Sequence, residues 1–109
     1  MSYSIVVSKR FEKEIKRLVK KFPSLKREFS ELITSLQVNP ESGVSLGNNC
    51  FKIRLSIASK GKGKSGGARV ITYLYIENET LYLLSIYDKS EKDIITDKEL
   101  KELLANLDL

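Results

Sequence analysis

The sequence predicts an α+β domain built from an N-terminal strand, a helical hairpin, a three-stranded antiparallel sheet and a short C-terminal helix. Three observations predict it. Two apolar stripes of helical period lie in succession between Phe11 and Leu36. Segments of period two then fill the stretch from Phe51 to Tyr87. A capping signature at Thr96 and Glu99 opens a final leucine stripe. With 109 residues the chain is expected to form one domain, 1–109, with no room for a second core.

Tyr3, Ile5 and Val7 alternate with Ser4 and Val6, which reads as a short strand over 3–7. Ser8 supplies an oxygen suited to cap the helix that follows. Phe11, Ile15, Leu18, Val19 and Phe22 then form one stripe. Pro23-Ser24 breaks that helix and starts another. Leu25, Phe29, Leu32, Ile33 and Leu36 repeat the spacing, so the two helices should pack as an αα-hairpin on a common layer. Asn39-Pro40 ends the second helix, and Glu41 to Asn49 reads as a turn-rich connection.

Phe51, Ile53, Leu55 and Ile57 alternate with Lys52, Arg54, Ser56 and Ala58, a half-buried strand with one basic face. Ser59 to Gly67 holds four glycines and three lysines and reads as a flexible hairpin loop. Arg69 to Ile76 is a strand with apolar character on both faces, and Glu77-Asn78-Glu79 turns it into a strand over Leu81 to Tyr87. Leu100, Leu103, Leu104 and Leu107 complete the last helix. The expected architecture packs helices on one sheet face and leaves Lys52, Arg54 and Arg69 on the other.

Charge is strongly segregated. The formal net charge is +5, yet residues 43–76 hold six basic side chains and no acid, while 77–109 hold four basic and nine acidic ones. A central stretch without a carboxylate suits an anionic partner, most often phosphate. Histidine is absent, which excludes a Ser-His-Asp triad, a His-based metal centre and imidazole acid/base catalysis. Any catalysis falls to Lys, Arg, Tyr, Cys, Ser or carboxylates. Cys50 is the single cysteine, so an internal disulfide and a Cys-rich zinc site are excluded, and it reads as a small buried apolar residue. The acids form no D-x-D-x-D-G loop, and neither a metal nor another cofactor is expected. Apolar runs reach only four residues, as in Tyr73 to Ile76, which excludes a membrane span. The N-terminus has no signal-peptide core, which points to the cytoplasm.

Gly63-Lys64-Ser65 has the look of a phosphate loop, but position 58 is Ala where that motif needs glycine, and a strand follows instead of a helix. The loop is better read as a lysine arm, Lys60, Lys62 and Lys64, able to follow a nucleic-acid backbone. Asp88 and Glu91, after the last strand, read as a solvated turn leading to the Thr96 cap.

Three stretches together resemble the RelE/ParE toxin superfamily: Cys50 to Leu55, Gly66 to Ile71, and Leu83 to Lys89. The Gly-Lys-Ser-Gly-Gly-x-Arg run, the Tyr-x-Lys-x-Glu of Tyr87 to Glu91 and the helix start over Thr96 to Leu100 are similar to its HigB-like branch. The resemblance covers nearly the whole chain and the same element order. It implies the toxin of a type II toxin–antitoxin pair, acting as a ribosome-dependent, metal-independent mRNA endoribonuclease, an mRNA interferase that stops translation.

The resemblance places the catalytic group on Lys52, Arg54, Arg69 and Lys89. The family's C-terminal catalytic tyrosine has no counterpart in Ile94-Ile95-Thr96, and Tyr87 is the nearest substitute, grouped here with Lys60, Lys62 and Lys64 as an RNA contact. Metal-free RNA cleavage uses the ribose 2′-OH as nucleophile and leaves a 2′,3′-cyclic phosphate and a 5′-OH. It needs a base, cations for the pentavalent phosphorane and an acid for the leaving oxygen. Lys52 is expected as base, Arg54 and Arg69 as phosphate stabilisers, and Lys89 as a supporting contact or acid. The implied partners are a cognate antitoxin, the ribosome with its mRNA, and operator DNA only through the antitoxin complex. The competing readings are a DNA gyrase poison of ParE type and a non-catalytic or degenerate nucleic-acid-binding homologue.

Overall fold

The computed structural model describes residues 2–61, 66–92 and 94–107. Strand β1 (Ser4–Val7) leads into α1 (Lys9–Lys21) and α2 (Leu25–Val38). A hairpin of β2 (Val44–Gly47) and β3 (Cys50–Leu55) follows, then β4 (Ala68–Tyr75), β5 (Thr80–Asp88) and α3 (Asp97–Ala105). Short 3-10 turns at Ala58–Lys60 and Ile76–Asn78 follow β3 and β4. The five strands form one sheet in the order β1-β5-β4-β3-β2, antiparallel except for the parallel β1–β5 pair.

The helix starts follow their caps. Ser8 Oγ accepts from the Phe11 amide at 3.1 Å and donates to the Leu84 carbonyl at 3.1 Å, so one hydroxyl caps α1 and ties it to β5. Thr96 and Glu99 form the reciprocal capping box of α3. Phe11 and Leu18 of α1 and Leu25 and Leu36 of α2 are fully buried against Ile53, Val70, Leu81, Leu83 and Ile86 of the sheet. The Phe11 and Phe29 rings meet at 5.4 Å between centroids and join the two helices.

Two expectations are corrected. The stretch from Glu41 to Asn49 contains strand β2, so the sheet has five strands. Asn48 (φ 52°) and Asn49 (φ 60°) both take the left-handed conformation that a two-residue hairpin turn requires, and asparagine tolerates it well. Gly43, at φ 95°, admits the start of β2 because any Cβ there would press into the Lys52 carbonyl. The helices also divide between two faces. α1 and α2 cover one, while α3 lies on the other with Leu100 and Leu103 against Ile71, Tyr82, Leu84 and Tyr87. The physical reason is that β4 and β5 are apolar on both sides, and a single helical layer leaves one side wet.

A bulge between Ile71 and Thr72 of β4 and the facing residues of β5 leaves Leu84 as the extra residue. Beside it, Glu14 of α1 accepts from Ser85 Oγ at 2.8 Å and from the Ile86 amide at 3.3 Å. An α1 carboxylate thus satisfies polar groups at the irregular part of the strand. Among the described residues no helix is long and apolar enough to cross a membrane.

Candidate nucleic-acid interface

Alternation in β3 sends Phe51, Ile53 and Leu55 toward the helical hairpin and Lys52 and Arg54 to the opposite face. In register, Arg54 stands opposite Arg69 of β4, which stands opposite Tyr87 of β5. Lys52 heads the adjacent row, opposite Ile71. Cross-strand Cα atoms of such pairs lie about 4.5–5.5 Å apart. Like charges set directly opposite each other are unfavourable.

The basic residues differ in access. Arg54 is exposed and Lys52 half-buried, and among the described residues neither has an ion-pair partner. Arg69 is only 4% exposed, with Nη1 donating to the Ala68 carbonyl at 3.0 Å. It lies behind the surface, which corrects the expectation of an openly presented phosphate fork. Lys89, half-buried, follows the end of β5, and its amide donates to the Gly67 carbonyl at 3.0 Å.

Lys60 is corrected more fully. Its Nζ is buried in an ion pair with Asp88 and also donates to the Gly66 carbonyl at 2.6 Å and to Ser90 Oγ at 3.2 Å. The Phe22 ring lies 5.7 Å away on its apolar side. An ammonium held in this way does not follow an RNA backbone. Lys62 and Lys64 lie outside the described residues. Tyr87 is also buried, with Lys92 Nζ 5.7 Å over its ring, and Lys92 is paired in turn with Glu99 of the α3 cap. The tyrosine is therefore covered on this face and not presented as an open RNA contact.

Asp88, expected in a solvated turn, is 1% exposed. Burial pushes its carboxyl upward, but hydrogen bonds from Lys60 and from the Ser90 amide and hydroxyl, together with the Lys60 charge, hold it below the usual carboxylate range. Glu91 does lie at the surface, paired with Arg17 at 3.0 Å. Cys50 is fully buried, and desolvation pushes its thiol up to about 11. The charged pair Lys60–Asp88 and the Glu14 bracket are the polar features that sequence reasoning missed. Each joins residues far apart in the chain, and no local spacing announces them. Among the described residues no group of three or more Cys, Asp and Glu side chains is arranged to hold a metal ion.

The family model described as "RelE toxin of RelE / RelB toxin-antitoxin system" matches residues 7–106. The chain belongs to the RelE toxin family. Solved structures of E. coli and Helicobacter pylori toxins share the RelE-family fold. An arginine-to-alanine double mutant of the E. coli toxin RelE in the free state superposes with TM-score 0.65 at 14% identity, covering 98% of this chain and 99% of that one. The intact E. coli RelBE toxin–antitoxin complex contains a chain matched with TM-score 0.51 at 19% identity, over 80% of this chain and 96% of that one. A metal-bound toxin from Helicobacter pylori matches with TM-score 0.53 at 21% identity, over 83% and 98%. In this RelE-family chain Arg54 and Arg69 face each other across β3 and β4.

Proposed function

We propose that this RelE-family toxin is a ribosome-dependent mRNA endoribonuclease that needs no metal and is held in check by an antitoxin. The observation that carries the reading is the register pair Arg54–Arg69, two cations opposed across neighbouring strands with Lys52 beside them. A phosphate set over Arg54 and Lys52 would be held by charge and by hydrogen bonds from the guanidinium. Arg54 and Lys52 meet the scissile phosphate from the surface, and Arg69 supplies positive potential from behind. Lys52 takes the proton of the ribose 2′-OH, the arginines stabilise the pentavalent phosphorane, and Lys89 supports the leaving 5′-oxygen. The chain has no histidine, and this reading gives the proton transfer to lysine.

The antitoxin reading draws on the family and on the chemistry of the surface. The E. coli relative has been solved with its antitoxin, and here Lys52 and Arg54 share one strand face with no ion-pair partner among the described residues. An acidic segment laid on that face would block RNA, and its complex would weaken with salt.

The test compares the parent protein with Lys52→Ala and Arg69→Ala variants for cleavage of mRNA on translating ribosomes. Cleavage falling by about a hundredfold or more in Lys52→Ala supports the base assignment. Unchanged cleavage by both variants removes it. Mapping cut mRNA ends against gyrase-linked DNA breaks in arrested cells separates the nuclease from a gyrase poison, and neither product would mark a non-catalytic homologue.

A further inference from the structure

The Lys60–Asp88 ion pair sits where three segments of chain converge. Lys60 ends the 3-10 turn after β3, Gly66 and Gly67 enter β4, and Asp88 closes β5. Both charged side chains are almost fully buried, at 8% and 1% exposed. Lys60 Nζ donates to Asp88, to the Gly66 carbonyl and to Ser90 Oγ, and Asp88 Oδ1 also accepts from the Ser90 amide at 3.0 Å and hydroxyl at 2.8 Å. Asp88 stands opposite Ala68 in the ladder, and Lys89 donates its amide to Gly67. Arg69 and Lys89 are therefore each one residue away from a group in this knot.

Taking two charges out of water is costly, and a buried ion pair seldom exceeds apolar packing in stability. What it does provide is a joint between the turn after β3, the entry to β4 and the end of β5, through one set of hydrogen bonds. The pair does not itself face solvent, so it does not touch RNA. From these observations we infer that Lys60 and Asp88 are positioning residues, whose buried pair fixes the ends of β4 and β5 so that the basic strand face beside them keeps the shape that an RNA phosphate meets. The inference rests on the reading that RNA lies on this face.

The experiment uses the whole protein carrying Lys60→Met together with Asp88→Asn, which removes both charges, leaves the net charge unchanged and keeps an acceptor for Ser90. Three quantities are measured: thermal unfolding, affinity for a short RNA blocked by 2′-O-methyl groups over a series of salt concentrations, and mRNA cleavage on ribosomes. A variant that melts near the parent should bind the blocked RNA at least about tenfold more weakly, with a shallower salt dependence as fewer phosphates are neutralised. A merely structural pair would leave both unchanged in a folded protein. Unchanged affinity and salt slope therefore overturn the inference, whether or not the parent cuts mRNA. A parent that cuts no mRNA, with a variant that still loses RNA affinity, overturns the nuclease reading and supports the positioning role. If the double variant does not fold, Lys60→Arg keeps the charge and changes its reach, and the same two binding outcomes decide.

Discussion

Arg54 of β3 and Arg69 of β4 are direct cross-strand neighbours, one exposed and the other buried. Arg54 has no ion-pair partner among the described residues, and a like charge set directly opposite does not stabilise the pair of strands. Arg54→Ala should therefore leave stability unchanged or raise it by a few tenths of a kcal/mol up to about 1 kcal/mol. Under the nuclease reading the same change lowers mRNA cleavage by about tenfold or more. Urea unfolding and ribosome-bound cleavage measured on one preparation check both halves. A clear loss of stability would mean that the row is structural.

Glu14 should matter more for stability than an ordinary surface carboxylate. It accepts from Ser85 Oγ and the Ile86 amide and lies 3.5 Å from Arg10 Nε. Glu14→Ala leaves two β5 donors without this acceptor and should cost about 1–3 kcal/mol in urea unfolding. Arg17→Ala removes only an exposed pair with Glu91 and should cost less than about 1 kcal/mol.

Asp88 gives the fold a defined response to acid. Its carboxyl is held below the usual range in the folded protein, so the unfolded chain binds the proton first as pH falls. The stabilisation is fully present above the unfolded value of about 4 and is lost as pH drops through the folded value. Asp88→Asn should flatten the dependence of unfolding free energy on pH below about pH 4. An unaltered slope would show that Asp88 does not carry the titration.

Cys50 should be chemically silent in the folded state. The thiol is fully buried and its ionisation is pushed up to about 11, so a thiol-specific reagent at pH near 8 should label it only after unfolding. The time course of labelling in native buffer and in urea checks this. Rapid native labelling would contradict the burial.

The parts of the fold legible in the sequence are those set by local periodicity. The Phe11–Phe22 and Leu25–Leu36 stripes, the Ser8 cap and the Thr96–Glu99 box all depend on neighbours within a few turns, and each is found as written. β2 was hidden because only Val44 and Leu46 alternate in it, and its clearest signal is the Asn48-Asn49 turn. The side of α3 depends on which apolar face β4 and β5 leave uncovered, which a sequence apolar on both faces does not decide. In the candidate site, Lys52 and Arg54 share a face through alternation alone. Arg69 joins them through hairpin register, and its burial depends on what covers β4. Lys60 is read as a solvated lysine because its partner Asp88 lies 28 positions further along.

The parallel β1–β5 pairing has a consequence for synthesis. Ser8 and Leu84 are 76 positions apart, so the N-terminal strand has no neighbour in the sheet until β5 has left the ribosomal tunnel. Until then the greasy sides of α1 and α2 lack Leu81, Leu83 and Ile86 of their bed. A nascent chain interrupted before β5 thus emerges prone to clumping, and the sheet closes only once the last strand is free to dock.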